Sequence, residues 1–234
     1  MKRYLTLLFL FGCAAPKPYE PPRKSADIVI RVRPVIIGER FTEVSVAAKM
    51  ADLAKAHTQT GIRWEVLPTD RITNPTWRFA IVTDAAGVQT PLGSDMSASA
   101  KGYFDRGEAA VFFCDKVTTQ GVDVGGCAYL PPNHGCWIGP DSCSNVCSHE
   151  LGHWLALNHT EPITGPGVAC LIMSYTCRRT EDCYGQTFTE SQISTQRAAA
   201  TTHRRNACEI MGTTARLKIL PPPSATGELV VCPR

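Results

Sequence analysis

From Asp27 to Ile37 polar and apolar residues alternate and β-branched side chains dominate, a pattern that predicts a strand. Within Phe41 to Thr60 the apolar positions Val44, Ala47, Ala48, Ala51 and Leu53 recur at helical spacing, and Gly61 supplies the stop, so a helix is predicted there. Further strands are expected at Ile62–Leu67, Trp77–Thr83 and Ala109–Cys114. The strand–helix–strand order predicts an α/β domain built on a mixed, mostly parallel sheet backed by helices. Asp84 to Gly107 sustains no period and reads as a long loop. Val124 to Leu130, closed by Pro131-Pro132, reads as an antiparallel edge strand, either an ordinary one or one along which an extended peptide is aligned. Near the C-terminus, Thr189 followed three residues later by Gln192 forms a capping box, so a helix is expected from there to about Cys208.

One stretch adds chemistry to this outline. In His149-Glu150-Leu151-Gly152-His153-Trp154-Leu155-Ala156-Leu157-Asn158-His159, residues four apart on a helix share a face. His149 and His153 can therefore point ring nitrogens at a single ion while Glu150 projects beside them, the HExxH arrangement. His159 joins them if the helix stops and the chain turns back, and a site with three protein ligands leaves a fourth position for water. A chance HExxH in a chain of this composition has a probability on the order of one in a hundred. Two plainer readings stand beside it. One is an amphipathic helix whose histidines pack or face water. The other is a closed structural zinc site with Cys147 or Cys170 as fourth ligand.

Together these residues resemble the metzincin clan of zinc endopeptidases, whose signature is HExxHxxGxxH followed by a methionine turn. The exception among the motif positions is Ala156, which stands where the clan has Gly. An Ala held at positive φ there costs roughly 1–2 kcal/mol, and Asn158, more tolerant of that region, is a candidate to share the turn. Cys170-Leu171-Ile172-Met173-Ser174-Tyr175 is similar to the Met-turn, with Met173 as its methionine. Tyr175 is similar to the tyrosine that some branches place near the metal, where its hydroxyl stabilises the oxyanion; a packed aromatic is the alternative. The resemblance spans about Asp27 to Met211, and the last helix is similar to that of pappalysin-like members.

The resemblance implies a five-stranded metzincin-like sheet with two helices, an active-site helix, a Met-turn and a C-terminal helix. It implies one catalytic Zn²⁺ held by His149, His153 and His159, with Glu150 as general base, and peptide-bond hydrolysis in a protein or peptide substrate. The rival from another class is a surface-anchored binding or adhesion module that keeps the metal site without turnover.

The first residues bear on location. Lys2 and Arg3 precede an apolar stretch from Tyr4 to Phe11 that ends at Gly12-Cys13, resembling a short secretory signal with a lipoprotein processing site. Residues 1–12 are then a signal peptide, 13–26 a Pro-rich tether beginning at an acylated Cys13, 27–211 the catalytic domain and 212–234 an extended tail. This places the protein in the bacterial envelope, held to the membrane by its lipid alone, with secretion by a plain signal peptide as the alternative. The chain has 11 cysteines; setting aside Cys13, the rest suggest up to five disulfides, including one through Cys143 or Cys147 that pins the start of the zinc helix. A formal charge of +3, reduced further by removing Lys2 and Arg3, gives no reason to expect a nucleic-acid partner. A monomer without a large inhibitory propeptide is expected.

Overall fold

The computed structural model describes residues 28–130, 134–142, 145–160, 171–173 and 187–216, with side chains described as far as residue 203. Its elements run β1 (Ile28–Ile36), α1 (Glu43–Ala56), a 3-10 turn (His57–Thr60), β2 (Ile62–Val66), β3 (Asp70–Arg71), β4 (Phe79–Ile81), α2 (Pro91–Phe104) and β5 (Glu108–Phe113). They continue with β6 (Lys116–Thr119), β7 (Val122–Val124), β8 (Gly126–Ala128), β9 (Cys136–Ile138), α3 (Val146–Trp154) and α4 (Glu190–Arg216).

The main sheet has the order β2-β1-β5-β9-β8, with the short β3 also pairing with β1. All its pairings are parallel except that of β8 with β9. Each residue of β5 is buried, because a central parallel strand is covered on both faces. Val32, Val111, Phe113, Cys136 and Ile138 pack under α1, α3 and α4, through Met50, Leu53, Cys147, Leu151, Trp154 and Ala200. On the opposite face Val35, Phe112 and Trp137 meet Met96, Ala100 and Tyr103 of α2. The architecture is thus α/β, as the pattern predicts, with the zinc-motif helix held against the end of the sheet where β9 and β8 lie.

Local signals work as read at several points. Thr42 caps α1, accepting from the Ser45 backbone N–H while the Thr42 N–H donates to Ser45 Oγ. Gly61 closes the following turn at φ 66°. Thr189 and Gln192 form their reciprocal pair at the start of α4, which runs to Arg216 rather than Cys208.

Other expectations are corrected. The segment expected as a long loop contains α2, a full helix whose small residues hide its period. Its start signal is the Thr90 cap, which accepts from Gly93 N–H, followed by a proline at the first position. The Trp77–Thr83 strand is realised as β4, which leaves the main sheet and builds a second, three-stranded sheet of order β4-β6-β7. The single strand expected over Val124–Leu130 is two, broken at Gly125: β7 belongs to the small sheet and β8 to the edge of the main one.

The cysteines are also corrected in part. Cys114, Cys127, Cys136 and Cys147 are free thiols. Cys147 makes no bridge at the helix start because it faces the sheet, packed with Cys136, Val146 and Leu151 in the apolar core, where a thiol behaves as a small hydrophobe. Cys13, Cys143, Cys170, Cys177, Cys183 and Cys232, and the Cys208 side chain, lie outside the described residues. Among the described residues no helix is long and apolar enough to cross a membrane.

Candidate metal centre

α3 places its residues by helical spacing alone. Val146 and Glu150 fall on one face, against β8, while His149 and His153 fall on another. The helix ends in a Schellman-type turn, with Leu157 N–H donating to the Gly152 carbonyl and Ala156 N–H to that of His153. Ala156 itself adopts the left-handed conformation, φ 66°. Asn158 takes no such φ, so the turn rests wholly on Ala156. The reversed chain brings His159 back beneath the helix. Thr160 N–H then donates to the Met173 carbonyl, fixing the return segment against residues 171–173.

The result is a convergent triad, whose ligand atoms all lie within 4.8 Å of one another. His159 Nε2 stands 3.0 Å from His149 Nε2 and 3.1 Å from His153 Nε2. The other ring nitrogens are occupied: His149 Nδ1 donates to the Ile172 carbonyl and His153 Nδ1 to that of Leu157, each at 2.7 Å. Since a carbonyl can only accept, these bonds set the tautomers and turn lone pairs on Nε2 of His149 and His153 toward the shared point. His159 Nε2 is the third imidazole nitrogen at that point, so a cation there would meet three nitrogen donors. The ring-to-carbonyl bonds also fix the ring planes, as the outer partners of metal-bound histidines do.

Electrostatics agree with that donor set. Burial, aided by the neighbouring His153, pushes His149 down to about 3, and burial pushes His153 down to about 4. Burial lowers His159 as well. All three rings are therefore neutral at physiological pH, the form that binds a metal. Glu150 is 4% exposed, and burial pushes its carboxyl up to about 8. Three imidazole nitrogen donors, of borderline softness, suit zinc.

Met173 lies directly below α3, fully buried in a cluster with Leu157, Ile172 and Phe188. The thiol of Cys147 is not in the metal group but packs in the apolar core, so a closed site using that sulfur is excluded. Cys170, the other candidate for a fourth ligand, and Tyr175, the candidate for oxyanion stabilisation, lie outside the described residues.

Two glycines at the site were not singled out by the motif reading. A Cβ on Gly152 would overlap Met173 Sδ, so the helix can rest on the Met-turn only without a side chain there. A Cβ on Gly126 would crowd Glu150. The Gly125-Gly126 pair at the start of the edge strand was the available signal.

No family model matches the chain, and no curated protein matches it. Among solved structures the chain is similar to archaemetzincin from Methanopyrus kandleri, with a TM-score of 0.52 and 14% identity over 77% of this chain and 98% of that one. It also aligns with metalloproteinase-II from Bacteroides fragilis at a TM-score of 0.47 and 10% identity, over 75% of this chain and 54% of that one. A zinc-dependent peptidase from Methanocorpusculum labreanum aligns at 0.42 and 15% identity, over 70% and 99% of the two chains. The first of these shows a shared fold, and at such identities the likeness extends to fold alone.

Proposed function

We propose that this chain is a zinc-dependent endopeptidase. The observation that carries the reading is the convergence of three imidazoles, with the Nε2 atoms of His149 and His153 each within 3.1 Å of His159 Nε2, beside a helix that also carries Glu150. The fold shared with archaemetzincin supports it.

His149, His153 and His159 would hold the ion. Zinc bound there would lower the pKa of a water molecule toward neutrality and polarise the scissile carbonyl. Glu150, next to His149 in the chain, accepts the proton of the attacking water and later delivers it to the leaving nitrogen. Its carboxyl is buried on the helix that also carries His149 and His153, placed to take and return a proton beside the ion they would hold. β8, the last strand in the described order of the main sheet, would be the strand along which an extended peptide is aligned by main-chain hydrogen bonds. Tyr175, two residues past Met173, would supply a hydroxyl to the developing oxyanion. Within this reading residues 27–211 form the catalytic domain, Cys13 carries a lipid, and the substrates are proteins or peptides of the envelope or outside it.

Metal analysis combined with digestion of a peptide library tests the proposal. The purified protein should carry about one zinc per chain and cleave internal peptide bonds, and chelation should stop cleavage. Glu150→Ala should keep its zinc and lose about 10²–10⁴-fold in turnover. Zinc retention without cleavage of any peptide would leave the metal-bearing binding module instead.

A further inference from the structure

Gly126, the first residue of β8, pairs with Ile138 of β9 and lies beside Glu150. A Cβ built there would stand 2.9 Å from Val146 Cγ2, 3.0 Å from Glu150 Cγ and 3.1 Å from Glu150 Oε1. Real Cβ atoms rarely make contacts this short, and here three occur together. Gly126 does not adopt a positive φ, so its backbone would accept an L side chain. Space, not conformation, is what demands glycine at this position.

The neighbour shows the contrast. A Cβ on Gly125 would meet Ser142 at 3.4 Å, within ordinary contact range. The two adjacent glycines therefore differ: the second lets the main chain of the edge strand lie directly against the side chain of Glu150.

We propose that Gly126 is a positioning residue for the general base: the bare backbone of β8 is the wall against which the Glu150 carboxylate rests, fixing where it meets the attacking water. The inference rests on the reading of Glu150 as the base. The geometry explains why the carboxylate, rather than the helix, would yield to a side chain at 126. α3 is held by its core face, where Cys147 and Leu151 are wholly buried, and by the ring-to-carbonyl bonds of His149 and His153. The side-chain torsions of Glu150 are the softer coordinates. A displacement of about 1 Å at a reacting group can cost about 10²-fold in rate.

The test uses the full chain loaded with zinc, in Gly126→Ala, Gly125→Ala, Glu150→Gln and the double variant Gly126→Ala/Glu150→Gln. Gly126→Ala should lower kcat by about 10–10²-fold while KM and zinc content stay within about twofold, and Gly125→Ala should leave kcat within about twofold. In the Glu150→Gln background the alanine should cause no further loss, because two residues acting through one group are not additive. A crystal structure of zinc-loaded Gly126→Ala should show the carboxylate moved with the three imidazoles in place, a readout that holds even if the wild type cleaves no peptide.

The inference is overturned by an unmoved carboxylate, by an unchanged kcat in Gly126→Ala, by a loss confined to KM, by an equal loss at Gly125→Ala, or by the same loss in both backgrounds. Should Gly126→Ala fail to fold, Gly126→Ala/Val146→Ala removes the 2.9 Å contact, keeps the two with Glu150, and is read against the same outcomes.

Discussion

Gly152 of α3 packs against Met173, so closely that a methyl group on Gly152 would overlap the Met173 sulfur. The contact joins the segment between His149 and His153 to the turn whose Ile172 carbonyl holds His149 Nδ1. Gly152→Ala should therefore act on the metal site and on stability together. Overpacking of this kind costs about 1–3 kcal/mol, and each kcal/mol lowers Tm by about 2–4 °C in a domain of this size. Met173→Leu, which nearly conserves volume, should cost less than about 1.5 kcal/mol. Melting curves with and without chelator check both; a Gly152→Ala protein with wild-type Tm and zinc affinity would refute the contact.

Ala156 carries the left-handed turn that returns the chain to His159, at φ 66°. Ala156→Gly should stabilise the protein by up to about 1–2 kcal/mol, since glycine reaches this conformation without the steric penalty. Urea unfolding of the zinc-loaded protein measures it. A midpoint below that of the wild type would mean that the strain is relieved by some other means.

Acid should destabilise the protein through histidines away from the metal. His57 is wholly buried between Trp64 and Phe188, and burial pushes it down to about 3. Burial and the nearby His203 push His134 down to about 4. In the unfolded chain both titrate near 6.5, so as pH falls below that value the unfolded state takes up protons that the folded state refuses. Stability should be unaffected by these groups above pH 6.5 and should fall steadily toward pH 3–4. His57→Leu should flatten this dependence, as read from unfolding free energies across the range, because the metal-site histidines titrate alike in both proteins. Parallel curves for the two proteins would argue against a neutral, buried His57.

The buried thiols of Cys114, Cys136 and Cys147 should resist alkylation in the native protein, that of the half-buried Cys127 less so, and all four should react in denaturant without a reductant. Burial raises all four thiols above their ordinary range, so protection has an electrostatic as well as a steric source. Mass spectrometry of peptides from non-reduced protein decides it; a disulfide involving Cys136 or Cys147 would contradict the packing seen here.

Added zinc should raise the melting temperature. A ligand at 100 times its Kd stabilises by about 2.7 kcal/mol if it binds only the folded state. Substituting His159 by Ala should abolish most of that gain, since it removes the one ligand that does not lie on α3. An equal gain in that variant would place the zinc elsewhere.

Whatever depends on neighbours a few residues apart was legible in the chain. The spacing of His149, Glu150 and His153, the cap at Thr42, the stop at Gly61 and the pair Thr189–Gln192 are all set by helix geometry and local hydrogen bonds, which need no knowledge of the rest of the chain. The parallel α/β character was legible for the same reason, from alternating runs and one clear helix. Tertiary structure decided what depends on distant partners. α2, made largely of small residues, is specified by burial of Met96, Ala100 and Tyr103 against the sheet rather than by its own period. The break at Gly125, which sends β7 to one sheet and β8 to the other, follows from pairings with β6 and β9. Cys147 remains a thiol because its helix turns it into the core. The two glycines at 126 and 152 are explained by space alone: each has a neighbour far away in sequence, Glu150 and Met173, that would be displaced by a single carbon atom, and no local pattern records such an approach.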